Sequence, residues 1–467
     1  MKKIALYGLF LYGLSLFAGC NSDFLEKEPP LYVTEQDVFT DASRLDANVN
    51  SLYAGLKSQY SLGGKCFGII DNIGEDFINI SGNGYELMYT YQAVVGIGIQ
   101  ENYEFWRYTY LALNRVNTFL KNIEIYKEYV GNNYDKYIAE AKFVRALGYY
   151  YLHQLYTIPY VINPNAKSVP LRLQAEADIF NNDLERASSQ EVLEQILLDL
   201  SASGALPVRN SNVEEFVTRA TQGSAEALRM RIYILRGEWD KAIESGNKIT
   251  GYSLVDNITS LFKAPYITVE NIFSMPFDAT NRPSSQYANG YFYINGKSDV
   301  IDTKDGIVSI DGYDNMNDVR INTFTTIPNG GRVFTKYTSS TYLDWMPVFR
   351  YAEVLLNLAE AHYNKGEYDK AISYLKQVRQ RSLSDEDDTL NIDALTGDAL
   401  KTAIYNERRL EFMGEGMRGF DILRRGETIV KQRGEPDELI VTPSQGINGY
   451  IWPIPQTERA QNNLIED

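Results

Sequence analysis

"RGEWDKAI", residues 236–243, recurs as "KGEYDKAI" at residues 365–372. Each copy follows a stretch in which apolar residues recur at helical spacing, residues 225–235 and 349–363. In both copies a glycine ends the first helix, an aromatic residue fills the joint, and an alanine lets the second helix approach closely. The repeated octapeptide therefore predicts two helix–turn–helix units.

This pattern resembles the tetratricopeptide repeat, a helix pair of about 34 residues. The two copies are not in tandem, because a long segment of different composition separates them. Residues 251–346 are rich in Gly, Asn, Asp, Ser, Thr and Tyr, with strand-like pieces such as "NIFSMPF" (271–277) and "GYFYING" (290–296). We predict an all-α-dominated fold: a tetratricopeptide-like helix-pair scaffold (35–250 and 347–427), a long irregular loop and short-strand insert (251–346) and a closing segment (428–467). Long loops inside a helical frame are usually functional, so we expect the insert to form the ligand face.

The chain begins with a short basic start, an apolar run at residues 4–17, and the small pair Ala18-Gly19 directly before Cys20. This order is typical of a secretory signal peptide at residues 1–19. Because the small pair leads into a cysteine, the segment also resembles a lipoprotein box, in which Cys20 becomes lipidated. The alternative is a signal peptide with an incidental cysteine. We predict a lipid anchor at Cys20, a polar tether at residues 20–30, and one mature domain over residues 20–467.

The composition argues against several classes of ligand and metal site. A net charge of −16 argues against nucleic acid and polyanionic ligands. The chain has two histidines, His153 and His362, so we predict no histidine-based metal site. Apart from Cys20, Cys66 is the only cysteine, which leaves no disulfide framework. The stretch "DGYDNMNDVR" (311–320) invites a calcium interpretation but lacks EF-hand spacing, so we predict no metal and no cofactor.

Motifs of catalysis are missing from the sequence. It contains no G-x-S-x-G elbow, no H-E-x-x-H pair and no phosphate-binding glycine loop. The 61 acidic residues leave a glycosidase-type carboxylate pair open by number alone, but no segment marks one out. Tyrosine is abundant, with 35 Tyr against 20 Phe and 4 Trp. Since tyrosine combines a flat apolar face with a polar tip, the composition favours recognition over catalysis.

Two non-helical stretches carry the residues that a sugar ring needs, aromatic faces beside amide or guanidinium groups. The early stretch "NISGNGYELMYTYQ" (79–92) and the insert stretch "NRPSSQYANGYFYINGK" (281–297) both fit this description. We therefore predict a ligand site from these candidate residues: Tyr85, Tyr89, Tyr91 and Asn83 in the early stretch, and Arg282, Tyr287, Asn289, Tyr291 and Tyr293 in the insert.

Several longer motifs carry a family resemblance. They are "EAKFVRALGYYYLHQLY" (140–156), "FRYAEVLLNLAEA" (349–361), "NERRLEFMGEGMRGFDILRRGE" (406–427) and "YIWPIPQTERAQNN" (450–463). With the lipoprotein start, their order resembles the SusD/RagB family over essentially the whole mature chain. One departure is Gly419, where the family usually carries a bulky aromatic residue. From the residues themselves we expect these motifs to be scaffold, in which the charged groups Glu407, Arg408 and Glu411 can pair with Arg418, Arg424 or Asp421 of the next helix.

The resemblance implies a cell-surface lipoprotein of the outer membrane. Such a protein binds an oligosaccharide or polysaccharide without covalent chemistry and delivers it to a SusC-like TonB-dependent transporter. It implies a glycan ligand, a membrane attachment through the N-terminal lipid, and no enzymatic activity. Three alternatives stay open: a peptide or another nutrient as the ligand, a surface glycan hydrolase, and a purely structural interaction protein.

Overall fold

A computed structural model describes residues 34–78, 93–178, 180, 182–294, 299–300, 306–313, 316–326, 333–432 and 438–465. Helices dominate this part of the chain. They are α1 (Glu35–Thr40), α2 (Ala42–Leu56), α3 (Cys66–Ile73), α4 (Gln100–Ile125), α5 (Lys127–Val130), α6 (Tyr134–Tyr156), α7 (Ser189–Leu200), α8 (Glu215–Thr218), α9 (Gln222–Arg236), α10 (Trp239–Lys248), α11 (Asn289–Ile294), α12 (Val319–Phe324), α13 (Tyr351–Asn364), α14 (Tyr368–Ser382), α15 (Gly397–Glu411), α16 (Arg418–Arg425) and α17 (Gln456–Gln461).

The strands are short and antiparallel. They are β1 (Phe77–Ile78), β2 (Lys167–Pro170), β3 (Arg186–Ser188), β4 (Asn271–Met275), β5 (Asp299–Val300), β6 (Thr325–Thr326), β7 (Val333–Phe334), β8 (Met346–Arg350), β9 (Ile429–Gln432) and β10 (Glu438–Val441). One sheet has the order β1-β5-β7-β6, and the pairs β2–β3, β4–β8 and β9–β10 form three two-stranded sheets. The largest sheet lies mostly in the insert, whereas β4–β8 joins the insert to the scaffold.

The two copies of the repeated octapeptide form the predicted helix–turn–helix units, α9–α10 and α13–α14. Gly237 and Gly366 take φ of +68° and +74°, the left-handed conformation that ends a helix. The two units are neighbours in space, because α10 packs against α13. Gly246 makes this approach possible, since a Cβ there would lie 2.8 Å from a methyl group of Leu358. The tetratricopeptide-like stack is thus assembled across the insert.

Three sequence-based expectations about local structure are wrong. Apolar residues at helical spacing predict one helix over residues 35–58, but it is broken at Asp41, whose side chain caps α2 by accepting from the Arg44 amide. A second helix is predicted over residues 347–381, but residues 347–350 belong to strand β8, because they pair with β4 before α13 begins. The strand-like "GYFYING" instead contributes to helix α11, which packs against α3. In each case a tertiary partner or a cap overrides the local preference.

A buried charge network fastens the insert to the scaffold. Arg350 of β8 contacts Glu270 at 2.7 Å, Glu411 at 2.6 Å and Glu415 at 2.7 Å. Arg320 of the insert contacts Glu411 at 3.0 Å, and these side chains are almost fully buried. Since a buried ion is costly unless it is paired, each side of the joint requires the other.

The expected partners of the "NERRLEF" motif are correct for one residue and wrong for two. Arg408 pairs with Asp421 of α16 at 2.9 Å. Glu407 and Glu411 do not pair with α16; they turn toward arginines such as Arg320, 2.6 Å from Glu407. The motif therefore joins the scaffold to the insert, which helical spacing alone does not reveal.

Gly419 has a steric role in this fold. A Cβ at this position would lie 2.1 Å from the carbonyl oxygen of Ile70 and 2.8 Å from Cβ of Ile73. Helix α16 thus packs directly on the backbone of α3, an approach that leaves no room for a side chain. The departure from the family pattern is accommodated by this close contact.

Two further features bear on the chain's surroundings. Within the described ranges, no helix has the length and apolarity that crossing a membrane requires.

Cys66 is a buried free thiol, and burial raises its pKa well above the ordinary value. It is therefore an inert core residue. Cys20 and the predicted tether lie outside the described residues.

Candidate functional site

A candidate recognition surface begins at the turn that follows α2. Gly63 and Gly64 make this turn possible: a Cβ on Gly64 would lie 1.9 Å from the Gln59 carbonyl oxygen and 2.9 Å from that of Tyr287. The Gln59 side-chain oxygen accepts from the amide and the hydroxyl of Ser284, at 2.9 and 3.1 Å. These contacts bring the segment that carries Tyr287 against the turn that carries Tyr60.

Three half-buried tyrosines meet there, and we call them the tyrosine platform: Tyr60, Tyr108 and Tyr287. The rings of Tyr60 and Tyr108 stack at a centroid distance of 4.5 Å and an angle of 25°. The Tyr287 ring meets Tyr60 edge-on, at 4.8 Å and 74°. Rings held in this way lose little further freedom on binding a ligand, which suits recognition.

Charged groups border the platform. The Lys65 ammonium lies 4.6 Å from the centroid of the Tyr287 ring and 3.5 Å from a Glu101 carboxylate oxygen. Burial, and then the Glu104 carboxylate, raise the pKa of Tyr287, so its phenol stays neutral. The exposed guanidinium of Arg107 lies 5.2 Å from the Tyr108 ring. It has no hydrogen bond or ion pair with any residue the structure describes.

The platform is a surface and not a deep pocket. The crevice between Tyr60, Tyr287, Glu101 and Glu104 encloses only ≈10 Å³, about the room that one water molecule needs. A ligand at this surface would therefore have to lie across the rings. That geometry suits a flat C–H face, with hydroxyls reaching the bordering charges.

The insert residues that were predicted for the site lie in different surroundings in the structure. Tyr287 is part of the platform. Asn289 is only 3% exposed, and its side-chain oxygen accepts from the Gly68 amide at 2.9 Å, so it positions α11 against α3. Arg282 is exposed and donates to the Thr341 carbonyl at 2.6 Å. Tyr291 is half-buried and borders the ring of Tyr342 at 5.8 Å.

The other predicted residues lie outside the description. Asn83, Tyr85, Tyr89 and Tyr91 fall within residues 79–92, which the structure does not describe, and the side chain of Tyr293 is likewise not described. Their roles stay predictions.

Tyr60 and Tyr108 are not among the site residues predicted from the sequence. Tyr60 follows the first predicted helix and Tyr108 lies within α4, a segment interpreted as scaffold. The sequence does not decide whether Trp345, just before a predicted helix, belongs to the core or to the site; its ring stacks on Tyr266 at 5.6 Å and its indole N–H donates to the Phe277 carbonyl at 3.1 Å. The available signal was tyrosine spacing on α4, where Tyr103, Arg107 and Tyr108 fall within two turns.

The described residues offer little for metal chemistry. Among them, no group of three or more His, Cys, Asp or Glu side chains is arranged to hold a metal ion. In the "DGYDNMNDVR" stretch, both carboxylate oxygens of Asp318 accept from Arg320, at 3.0 and 2.7 Å. Both oxygens of that carboxylate therefore already accept hydrogen bonds within the charge network.

Comparison with known proteins agrees with this architecture. The family model described as "SusD family" matches residues 286–466, and the model described as "Starch-binding associating with outer membrane" matches residues 23–234. A SusD superfamily protein of Bacteroides fragilis has a crystal structure that superposes with a TM-score of 0.88. It is 48% identical, over 92% of this chain and 100% of the relative. The chain belongs to the SusD family.

More distant members share the fold. A SusD superfamily protein of Bacteroides thetaiotaomicron is 21% identical over 93% of this chain and 99% of its own, with a TM-score of 0.77. The SusD-like protein P25 of Formosa agariphila is 22% identical over 95% of this chain and 94% of its own length. The helix-dominated frame is thus shared with the Bacteroides thetaiotaomicron protein at low sequence identity.

Proposed function

We propose that the protein binds a glycan without covalent chemistry, through the tyrosine platform. The observation that carries this proposal is the fixed cluster of Tyr60, Tyr108 and Tyr287, drawn from three separate segments and bordered by Arg107 and Glu104. Ring faces match the C–H face of a sugar, and the border supplies donors and acceptors for hydroxyls. The starch-binding description of one matching family model supports a carbohydrate ligand.

The shallow geometry favours a chain-like ligand that is held and then released. A stacked aromatic contact contributes about 0.5–1.5 kcal/mol beyond area burial. Three such rings predict modest affinity, which is useful to a protein that must pass its ligand on.

We further propose that this binding takes place at the outer membrane and precedes transport. Lipidation at Cys20 would hold the protein at the outer membrane, where it would deliver the glycan to a SusC-like TonB-dependent transporter. The family description "associating with outer membrane" supports this location. Co-purification of a membrane transporter with the tagged protein from mildly solubilised membranes is the expected result. Recovery of the tagged protein without any such transporter contradicts the delivery step.

Binding to a glycan panel tests the central proposal. The purified protein is run through native gels that contain neutral or acidic polysaccharides, and we expect retarded migration in at least one gel. Reducing-end assays on the same mixtures should show no released sugar. Unretarded migration throughout, combined with saturable binding of a peptide pool, would instead support a peptide ligand. Release of reducing ends would indicate a hydrolase.

A further inference from the structure

Acidic residues are missing from the three stretches of sequence that build the tyrosine platform. The chain has 61 acidic residues against 45 basic ones, yet residues 47–70, 105–123 and 279–298 contain no Asp and no Glu. Each platform tyrosine comes from one of these stretches. All three stretches carry lysine or arginine, so the local balance of charge is opposite to that of the whole chain.

One side of helix α4 extends this surface away from the platform rings. Tyr108, Leu111 and Arg115 are three and four residues apart, a spacing that places them on the same side of a helix. Leu111 is 41% exposed and Arg115 is exposed. Together with Arg107 we call these residues the α4 stripe. A chain-like ligand on the platform would therefore meet apolar surface and positive charge along α4.

The two arginines of the stripe have no anionic partner. Neither guanidinium forms a hydrogen bond or an ion pair with any residue that the structure describes, and both side chains are exposed. Arg115 lies beside α2, since a Cβ on Gly55 would be 3.7 Å from its Nη1. Arg107 and Arg115 are separated by about 12 Å along the helix axis, from the rise per residue. The stripe thus presents two separate cations to a ligand.

The carboxylates beside the platform already have partners. Glu101 lies 3.5 Å from the Lys65 ammonium. Glu104 accepts a hydrogen bond from the side-chain amide of Gln100 at 2.8 Å. Both glutamates line the crevice beside the platform. At this surface, within the described part of the chain, the charges that lack a partner are therefore the two guanidiniums.

The net charge of the whole chain does not decide which ligand this surface attracts. A net charge of −16 by itself argues against an anionic ligand. At physiological ionic strength, however, exposed charges are largely screened beyond about 8 Å, so remote carboxylates contribute little. The groups at the platform and the stripe set the local potential, and a sparsely charged ligand meets the least residual repulsion.

We propose that the glycan of the tyrosine platform is acidic, a polysaccharide whose uronic acid carboxylates contact Arg107 and Arg115. This inference rests on the proposed glycan binding and names its substrate class. The sugar rings would lie on the platform and on Leu111. The guanidinium fork matches a carboxylate with two parallel hydrogen bonds, and the separation of the two arginines requires carboxylates on different sugars. Arg107 and Arg115 are then the residues that determine specificity.

Native gels with matched polymers test the class of glycan. Polygalacturonate, alginate and hyaluronate are each compared with the carboxyl-reduced form, which keeps the sugar chain and loses the charge. We expect at least one acidic polymer to retard the protein and its reduced form to have little effect. In calorimetry, the retarding polymer should bind about tenfold more weakly when NaCl rises from about 50 to 500 mM, because salt screens exposed charges. Equal retardation by the reduced form, or no retardation by the acidic polymers, would overturn the proposal.

Arginine variants test the assigned contacts. Arg107→Met and Arg115→Met should each weaken the retarding polymer about tenfold, the effect of losing a charge-assisted hydrogen bond. Both side chains are exposed, so both variants should fold, which thermal unfolding verifies. Arg44→Met is the matched control. Arg44 is an exposed arginine near the other end of α2, about 18 Å along the axis from Leu56, so its loss should change the affinity less than about twofold.

Glu104→Gln distinguishes an acidic glycan from a neutral one. Removing this carboxylate relieves repulsion of an acidic ligand, so binding should become about twofold tighter. With a neutral glycan the same change would weaken binding, because a strong acceptor for hydroxyls is lost. Weaker binding by Glu104→Gln, or an affinity unchanged by both arginine variants, would contradict the acidic ligand.

The two proposals about this surface can fail separately. Retardation by a neutral polysaccharide that requires Tyr287 but not Arg107 would support glycan binding at the platform and contradict only its acidic character. The absence of retardation by every polysaccharide, neutral or acidic, would contradict both.

Discussion

At the scale of single residues, close approach and burial decide roles that residue type alone does not indicate. Gly419 stands where helix α16 touches the backbone of α3, and Gly64 stands where the platform segments meet. Asn289, a candidate ligand contact from sequence, is an interior anchor. The residue type makes Asn289 a candidate for hydrogen bonding, but the sequence does not show that its side chain faces the Gly68 amide of α3.

Gly419→Ala should destabilise the fold. Its Cβ would overlap the Ile70 carbonyl, and overpacking of this kind costs about 1–3 kcal/mol. Urea unfolding measures the change. Gly204→Ala is the matched control, because a Cβ there meets nothing within 4 Å, and it should stay within about 0.5 kcal/mol of wild type. Equal stability of the two variants would contradict the close packing of α16 on α3.

His153 should make stability fall in mild acid. Burial lowers its pKa to about 3, and its Nε2 lies 2.7 Å from the Ser189 hydroxyl. Below about pH 6.5 the histidine is protonated in the unfolded chain but stays neutral in the folded chain. The free energy of unfolding therefore falls by about 1.4 kcal/mol per pH unit. The unfolding free energy should therefore drop more steeply between pH 6.5 and 4.5 in wild type than in His153→Gln. Identical slopes, or an NMR titration of His153 near pH 6.5, would refute its burial as a neutral ring.

At the scale of elements, the helices follow from periodicity, while the joints between them do not. The amphipathic pattern of residues 134–155, which ends before Pro159, predicts one long helix, and α6 (Tyr134–Tyr156) matches it almost to the residue. Strand β8 was missed because its partner β4 lies in the insert, far away in sequence. Tyr60 and Tyr108 were missed for the same reason, since their stacking depends on how α2, α4 and the insert meet.

Glu411→Gln tests the joint between scaffold and insert. Burial alone would raise the pKa of Glu411, but Arg381, Arg350 and Arg320 hold it well below the ordinary value. Removing one partner from a buried charge cluster costs about 3–5 kcal/mol, because the remaining charges lose compensation. We expect a loss of this size in urea unfolding, with faster hydrogen exchange in β4 and β8.

A surface pair provides the comparison for that variant. Glu244 and Lys248 are exposed on α10 at 2.7 Å, and Glu244→Gln should cost no more than about 0.5 kcal/mol. If Glu411→Gln costs no more than this surface variant, the network does not fasten the insert.

At the scale of the whole molecule, the protein combines a helical frame, a shallow tyrosine platform and a proposed lipid anchor. The anchor is testable on its own. Cells fed a palmitate analogue should label the wild-type protein and should not label Cys20→Ala, because the cysteine sulfur is the proposed attachment point. Equal labelling of both proteins, or of neither, would exclude the anchor and leave the binding surface unaffected.

The most direct test of the central claim is the affinity for whichever glycan the gels identify, measured by calorimetry. Tyr60→Ala, Tyr108→Ala and Tyr287→Ala should each weaken binding roughly tenfold, in line with the loss of a ring contact of about 0.5–1.5 kcal/mol and its buried area. Tyr129→Ala is the control, since Tyr129 is 58% exposed and lies outside the platform, and it should bind as wild type does. Unchanged affinity in all three platform variants would contradict glycan binding at the tyrosine platform.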